Sequence, residues 1–299
     1  MKHNIEIKRL IAILVIYNPD LINLKKVMSM HEKNFNSIIL VNNSPEISLK
    51  TFQSKITSLI YNNKNIGLAA ALNIGILEAK KRGADMVALF DQDSMLPNNF
   101  CSMMLKSIKA YQGNKSGLYS PYYFNHVTND YGSFINFKPL HLIRSKPSKR
   151  NTVAYPHYVI TSGSFIPISV IDDVGLMLEK LFIDFVDIEW CMRARKKGYE
   201  IVTFPQIQIS HYLGDSSISF LGTYYPIHSP LRMYYYFRNA IYLYHIKDID
   251  LNWRVIDASR NLFRFLFYIM FVKNRLTYLK YIIKGYYHGI KKQMGAYVD

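Results

Sequence analysis

Met86-Val87-Ala88-Leu89-Phe90-Asp91-Gln92-Asp93-Ser94 sets five apolar residues directly against two carboxylates. A continuous apolar run of that length fits a strand covered on both faces, as in a parallel sheet. Working outward, Leu10–Tyr17, Ser37–Val41 and Ser58–Tyr61 are strand-like runs of the same kind. Between them, Pro19 and Asp20 open a helical stretch to about His31. Gly67–Arg82 then places Leu68, Ala71, Leu72, Gly75, Ile76 and Ala79 on one helical face, and Gly83 follows as a stop. The βαβαβαβ order predicts an α/β fold with a doubly wound, mainly parallel sheet, whose ligands sit beyond the carboxyl ends of the strands. Asp91 and Asp93 stand at such an end.

Further along, residues 113–158 are rich in Tyr, Asn, Ser and Pro and read as loops with short strands. Tyr158–Pro167 reads as a buried strand with a glycine break, Val186–Lys197 as a helix ended by Gly198, and Ile207–His211 as a last short strand. At 299 residues and 49% apolar, the chain can bury a sizeable core, which excludes wholesale disorder. Cys101 and Cys191 are too few for a disulfide framework or a four-sulfur metal site, so a reducing compartment is expected. The run from Leu10 to Tyr17 is too short for a signal segment, and no stretch reaches the roughly 20 apolar residues of a spanning helix. The expectation is a protein that stays inside the cell and does not cross the bilayer.

Net charge is +16, from 37 basic and 21 acidic residues. Such an excess suits nucleic acid, anionic lipid or phosphorylated substrates alike. Nine Lys/Arg lie between Leu251 and Asp299, opposed by Asp257 and Asp299 alone, so that segment holds +7. It also contains Leu262–Val272, an apolar run broken only by Arg264, followed by Leu276, Leu279, Ile282 and Ile283 among Arg275, Lys280, Lys284, Lys291 and Lys292. The pattern suits helices lying in a membrane interface, basic residues toward anionic headgroups. A helix pair packed on the rest of the chain, or on a second subunit, is the competing reading. The expected division is a catalytic domain over 1–230 and a helical, basic and apolar extension over 231–299.

Asp91 and Asp93 suit a hard divalent cation, which prefers oxygen ligands and bridges phosphates; alternatively the pair caps a helix starting near Pro97. Phe182-Ile183-Asp184-Phe185-Val186-Asp187-Ile188-Glu189-Trp190 packs three carboxylates among large apolar groups. Such surroundings raise carboxyl pKa values and suit a general base, a role favoured for Asp187. Glu189 is expected to pair with Arg193 at i,i+4 instead. His211 is ordinarily a core residue unless the fold brings it to Asp93. Arg232, Tyr235, Arg238 and Asn239 form a basic, aromatic helical stretch that suits a pyrophosphate or, equally, a snorkelling surface helix.

These pieces occur in one order: the first strand, Asn42-Asn43-Ser44, Asn65-Ile66-Gly67-Leu68-Ala69 with Asn73 and Gly75, Asp91-Gln92-Asp93-Ser94, the block 182–201, Ser210–Ser217 and Ser229–Asn239. Together, over Leu10 to Asn239, they resemble a family 2 glycosyltransferase of GT-A fold, nearest the bacterial rhamnosyltransferase branch. The resemblance implies an inverting, metal-dependent transferase with a nucleotide-sugar donor, most simply dTDP-L-rhamnose. The acceptor it implies is a lipid-linked glycan of a cell-surface polysaccharide (O-antigen or capsule), met at the cytoplasmic membrane surface. UDP-galactofuranose, UDP-galactose and UDP-N-acetylglucosamine are the other donors it allows. It implies that Asp91 contacts the nucleoside, that Asp93 ligates Mg²⁺ or Mn²⁺ with His211 as a further ligand, and that Asp187 is the base. Many relatives carry an acidic residue just before that base, where this chain has Val186, so Asp184 is a second candidate. Tyr17, Asn18, Asn43, Asn65, Gly67 and Asn73 match donor-binding positions, as does Ile16. Arg232, Tyr235 and Arg238 fall where acceptor or diphosphate groups are held.

A basic module that binds nucleic acid through charge and tyrosines explains the +16 but gives no reason for acidic clusters at strand ends. Nucleic acid is therefore not an expected partner.

Overall fold

The computed structural model describes residues 7–113, 115–125, 130–139, 141–146, 152–211, 216–220 and 223–298, with backbone only at 125, 130, 211, 216–220 and 223–226. The strands are β1 (Leu10–Ile16), β2 (Ile38–Asn42), β3 (Thr57–Tyr61), β4 (Met86–Asp91), β5 (Ser116–Asn125), β6 (Asp130–Tyr131), β7 (Phe134–Lys138), β8 (His141–Ser145), β9 (Ser164–Pro167), β10 (Glu200–His211), β11 (Ser216–Phe220) and β12 (Thr223–Ile227). The helices are α1 (Leu21–Asn34), α2 (Leu68–Lys81), α3 (Phe100–Ala110), α4 (Ile168–Val174), α5 (Val186–Lys196), α6 (Pro230–Tyr244), α7 (Leu251–Phe271) and α8 (Arg275–Lys291).

Among the described residues the main sheet runs β3-β2-β1-β4-β9-β5-β10, with β6 beside β5. Pairs β3/β2, β2/β1, β1/β4 and β5/β10 are parallel, while β9 and β6 run against their neighbours. The chain leaves β1 toward β2 and returns to β4 on the other side. The ends of β1 and β4 therefore flank a switch point, where open α/β sheets bind ligands.

Alternation along β1 shows why its whole run is apolar. Ile11, Ile13 and Val15 face the core that contains residues of α2, α4 and α5, whereas Ala12, Leu14 and Ile16 face the core shared with α1 and α3. The first of these cores also takes Ala240 and Leu243 of α6 and Trp253 of α7. A third cluster, with Phe237, Phe267, Tyr268 and Ile282, fills the space among α6, α7 and α8. There Gly285 lies so close to α6 that a Cβ would meet the Tyr234 carbonyl oxygen at 2.6 Å, so only glycine permits this helix approach.

Three readings of the sequence need correction. The middle segment contains β5, a ten-residue strand in the sheet interior, and not merely loops with short strands. Its Ser, Gly and Pro hide the strand pattern. Ser120 is buried because its hydroxyl bonds that of Thr203 at 2.8 Å. Pro121, which has no N–H, sits where the β5–β10 register shifts between Phe204 and Gln208. In 158–167 only Ser164–Pro167 is strand, the residues before it being irregular. The strand read as the last begins at Glu200, well before Ile207, and β11 and β12 follow it.

Candidate active site

The sheet register sets Asp91 beside Val15, next to the carboxyl end of β1. Gln92 joins these two strand ends, its side-chain oxygen accepting the Tyr17 N–H at 2.7 Å. The Asn18 N–H donates to Ser44 Oγ at 2.6 Å. On the other side of β4, the hydroxyls of Ser94 and Ser162 meet, and the Asp91 N–H reaches Ser162 Oγ at 3.4 Å. The acidic pair does not cap the next helix, because α3 starts at Phe100, after Asn99.

Asp187 enters from α5. Its Oδ1 accepts the Ile188 N–H at 2.8 Å. Burial pushes its carboxyl up to about 6; that hydrogen bond pulls it down, and the charges of Asp91 and Asp184 push it up again. Carboxylates from β4, from the turn before α5 and from α5 itself thus share one electrostatic neighbourhood. Asp184 is engaged by Arg232, whose Nη2 lies 3.1 Å from Oδ1. Glu189 and Arg193 form the expected i,i+4 pair, at 2.7 and 2.9 Å.

The turn that delivers these residues is strained. Phe182, Asp184 and Phe185 all have positive φ, at 66°, 60° and 64°, a region costly for side-chain-bearing residues and concentrated at functional sites. Asn239 holds the turn: its amide donates to the carbonyls of Leu181 (2.9 Å), Ile183 (2.6 Å) and Asp184 (3.2 Å). Arg238 donates to the Leu181 carbonyl at 2.9 Å and to that of Gly295 at 2.6 Å. Tyr235 stacks on Phe182, with centroids 4.8 Å apart. The turn also closes on α2, whose Leu68 N–H donates to the Phe182 carbonyl at 2.6 Å. A Cβ on Gly67, which has φ +85°, would collide with the Phe182 ring.

The expected site residues therefore divide. Tyr17, Asn18, Asp91 and Asp93 belong to the ends of β1 and β4, and Asp187, Asp184 and Arg232 gather beside them. Four others make structural contacts in this fold. Asn43 and Asn65 spend their amides on one another (2.8 Å) and on Asn62, Ile66 and Gly67, shaping the turn into α2. Asn73 is buried and bonded to Met177 and Glu179. Arg238 is fully buried. His211 ends β10, and its side chain lies outside the described residues. Gln92 and Ser162 were not anticipated. Gln92 carried a signal, since it stands between the two aspartates, whereas Ser162 lay in what read as an ordinary strand.

Among the described residues no three His, Cys, Asp or Glu side chains form a metal cage. Mg²⁺ commonly takes one or two protein carboxylates and completes its shell with water and substrate phosphates. Asp91 and Asp93 fit a cation shared with a phosphorylated ligand in that way.

Residues 21–170 match the family described as Glycosyl transferase family 2. Over 294 residues the chain is 31% identical to dTDP-rhamnosyl transferase RfbF of Shigella flexneri, covering 95% of this chain and 96% of that one. Among solved structures, GalNAc-T7 crystallised with UDP, GalNAc and Mn²⁺ superposes with a TM-score of 0.60 at 14% identity, over 96% of this chain. This chain spans just over half of that protein, 56% of its length. S. aureus TarS 1-349 superposes with a TM-score of 0.55 at 12% identity, over 95% of this chain and 82% of that one. The two structural likenesses show a shared fold. With the switch-point carboxylates in place and this match across most of its length, the chain belongs to glycosyl transferase family 2 and is a glycosyltransferase of GT-A fold.

Proposed function

We propose that the chain transfers L-rhamnose, with inversion, from dTDP-L-rhamnose to a lipid-linked glycan at the cytoplasmic face of the cell membrane, in the assembly of a cell-surface polysaccharide such as O-antigen or capsule. The donor rests on the 31% identity to a dTDP-rhamnosyl transferase over nearly the whole chain. UDP-galactofuranose, UDP-galactose and UDP-N-acetylglucosamine are the competing donors. The observation that carries the reaction is Asp187, a carboxyl raised to about 6 within the field of Asp91 and Asp184. A group titrating there is ionised at neutral pH yet more basic than an ordinary carboxylate.

In this reading Asp187 takes the proton of the acceptor hydroxyl while that oxygen attacks the anomeric carbon. The bond from that carbon to the diphosphate breaks on the opposite face, releasing dTDP and leaving an inverted glycosidic bond. Asp93, with Asp91 beside it, would hold Mg²⁺ or Mn²⁺, and Mn²⁺ accompanies UDP in the GalNAc-T7 structure. When bound, such a cation neutralises charge on the diphosphate. Arg232 brings a guanidinium to Asp184 by pairing with its carboxylate.

Membrane association is supported by the exposed face of α7 and α8. Leu262, Phe263, Leu266 and Met270 are 45–60% exposed, and Leu276 is 78% exposed, close to Lys273 and Arg275. Among the described residues no helix is long and apolar enough to cross a membrane.

The test is a donor screen by protection from thermal unfolding, followed by transfer assays. Asp187→Asn is expected to keep donor protection and to lose about 10²- to 10⁴-fold in kcat. Asp93→Asn is expected to lose the metal-dependent part of the protection. Full turnover in either variant refutes the role given to that residue.

A further inference from the structure

Beside the carboxylates lies a cavity of about 360 Å³ that no step above uses, a size within the range of roughly 300–1,000 Å³ common for small-molecule sites. Ser120 and Tyr122 of β5 and Thr203 of β10 line it. Their strand neighbours Tyr119, Val202 and Phe204 face the core shared with α1 and α3, so the cavity opens on the sheet face that carries α5. It touches the site at two points. Ser162 lines it and accepts the Asp91 N–H, and Tyr158 lines it within the field of Asp187.

Its chemistry differs from that of the donor side. Among the described residues no Asp or Glu lines it, and the one cation among them, Arg144, is exposed. Tyr131 is 39% exposed and stacks on buried Tyr122, with centroids 5.4 Å apart and planes within 7°. That packing holds the Tyr131 ring in place before anything binds. A fixed aromatic face bordered by the Ser120 and Thr203 hydroxyls and a guanidinium suits a saccharide, which offers an apolar C–H face and a rim of hydroxyls. A diphosphate would call for more positive charge. In sheet order β5 lies three strands from β1, across β4 and β9, roughly 14 Å at normal strand spacing. A nucleotide at the end of β1 and a saccharide over β5 thus approach β4 and its aspartates from opposite sides.

We infer that this cavity binds the non-reducing end of the acceptor glycan, with Tyr131 as its stacking platform and Arg144 as its polar rim. The inference rests on the sugar-transfer reading above. The probe is a panel of methyl glycosides of rhamnose, galactose, glucose and N-acetylglucosamine, followed by saturation-transfer NMR on the full chain. Thermal protection by dTDP and by UDP is measured on the same samples. Saturation transfer to a member of the panel is expected, weakened roughly five- to tenfold in Tyr131→Ala and in Arg144→Ala, with nucleotide protection unchanged. Three outcomes overturn the subsite: no transfer to any glycoside in a protein that a nucleotide protects, equal binding by the variants, or joint loss of nucleotide protection in them. Glycoside binding that depends on Tyr131 and Arg144, in a protein protected by neither nucleotide, keeps the subsite and removes the donor reading.

Discussion

A carboxyl that titrates near neutrality destabilises the chain that holds it, and Asp187 is such a group. Its folded value of about 6 lies above the ordinary 3.8. The folded state therefore prefers the protonated form. Stability from this group is full below about pH 4 and is lost as pH rises through about 6, reaching a cost on the order of 3 kcal/mol at pH 8. Activity is expected to have the opposite sign, because a base, the role proposed for Asp187, works only when ionised. Asp91, Asp184 and its partner Arg232, Tyr158 and Cys191 are the titratable or charged groups around it. The expected outcome is a kcat/KM that climbs through pH 6 in the wild type. Asp187→Asn should melt higher than wild type at pH 8 and equally at pH 4, by calorimetry. A variant that melts lower at pH 8 contradicts the assignment. At this scale the sequence was legible where an acid sat among Phe, Val, Ile and Trp, because that contrast has few structural uses. It did not reveal the contacts that Asn43, Asn65, Asn73 and Arg238 make within the fold. A polar side chain that satisfies buried carbonyls and one that binds a ligand have the same composition, and only their partners separate them.

Among elements, the main finding is that two stretches some fifty residues apart work as one. The turn at 182–185 is bent against its side chains' preference, and α6 supplies what holds it, chiefly Asn239. Asn239→Ala leaves three carbonyls without that donor, at a cost of about 1–3 kcal/mol. Since the turn aims Asp184 and leads into Asp187, kcat is expected to fall while donor protection, proposed to centre on β1 and β4, persists. Parallel loss of donor binding would make Asn239 a global stabiliser and no more. Neither stretch announced this link, because spacing reports neighbours within a helix and not partners across the fold. The first four strands were legible for the opposite reason. β1, β2 and β4 are buried on both faces, so their composition is almost uniform, and the part-buried edge strand β3 still carries Leu59 and Ile60, whereas β5 mixes Ser, Gly, Pro and Tyr, and Ser120 to Tyr123 line the cavity.

For the whole molecule, composition shows how much positive charge there is but not where it faces. Packing divides the run Leu262–Val272: Phe267, Tyr268 and Val272 turn inward, while Leu262, Phe263, Leu266 and Met270 remain outside. Exposed Lys273, Arg275 and Lys280 follow directly. Apolar groups and cations on adjoining surface suit an anionic bilayer, with each cation near the headgroups contributing about 1 kcal/mol. Co-sedimentation with phosphatidylglycerol vesicles is expected, with little binding to phosphatidylcholine alone and a steep loss with salt. Charge reversal at Lys273, Arg275 or Lys280 should weaken it roughly fivefold per site, and Leu266→Glu should weaken it without changing monosaccharide binding. Equal binding to both vesicle types, insensitive to salt, would leave the positive charge without that purpose. A dimer in which Leu266→Glu breaks the association would assign the same face to a second copy of the chain. The proposed lipid-linked acceptor gives the membrane reading its logic, since an enzyme held at the bilayer would meet a substrate that cannot leave it.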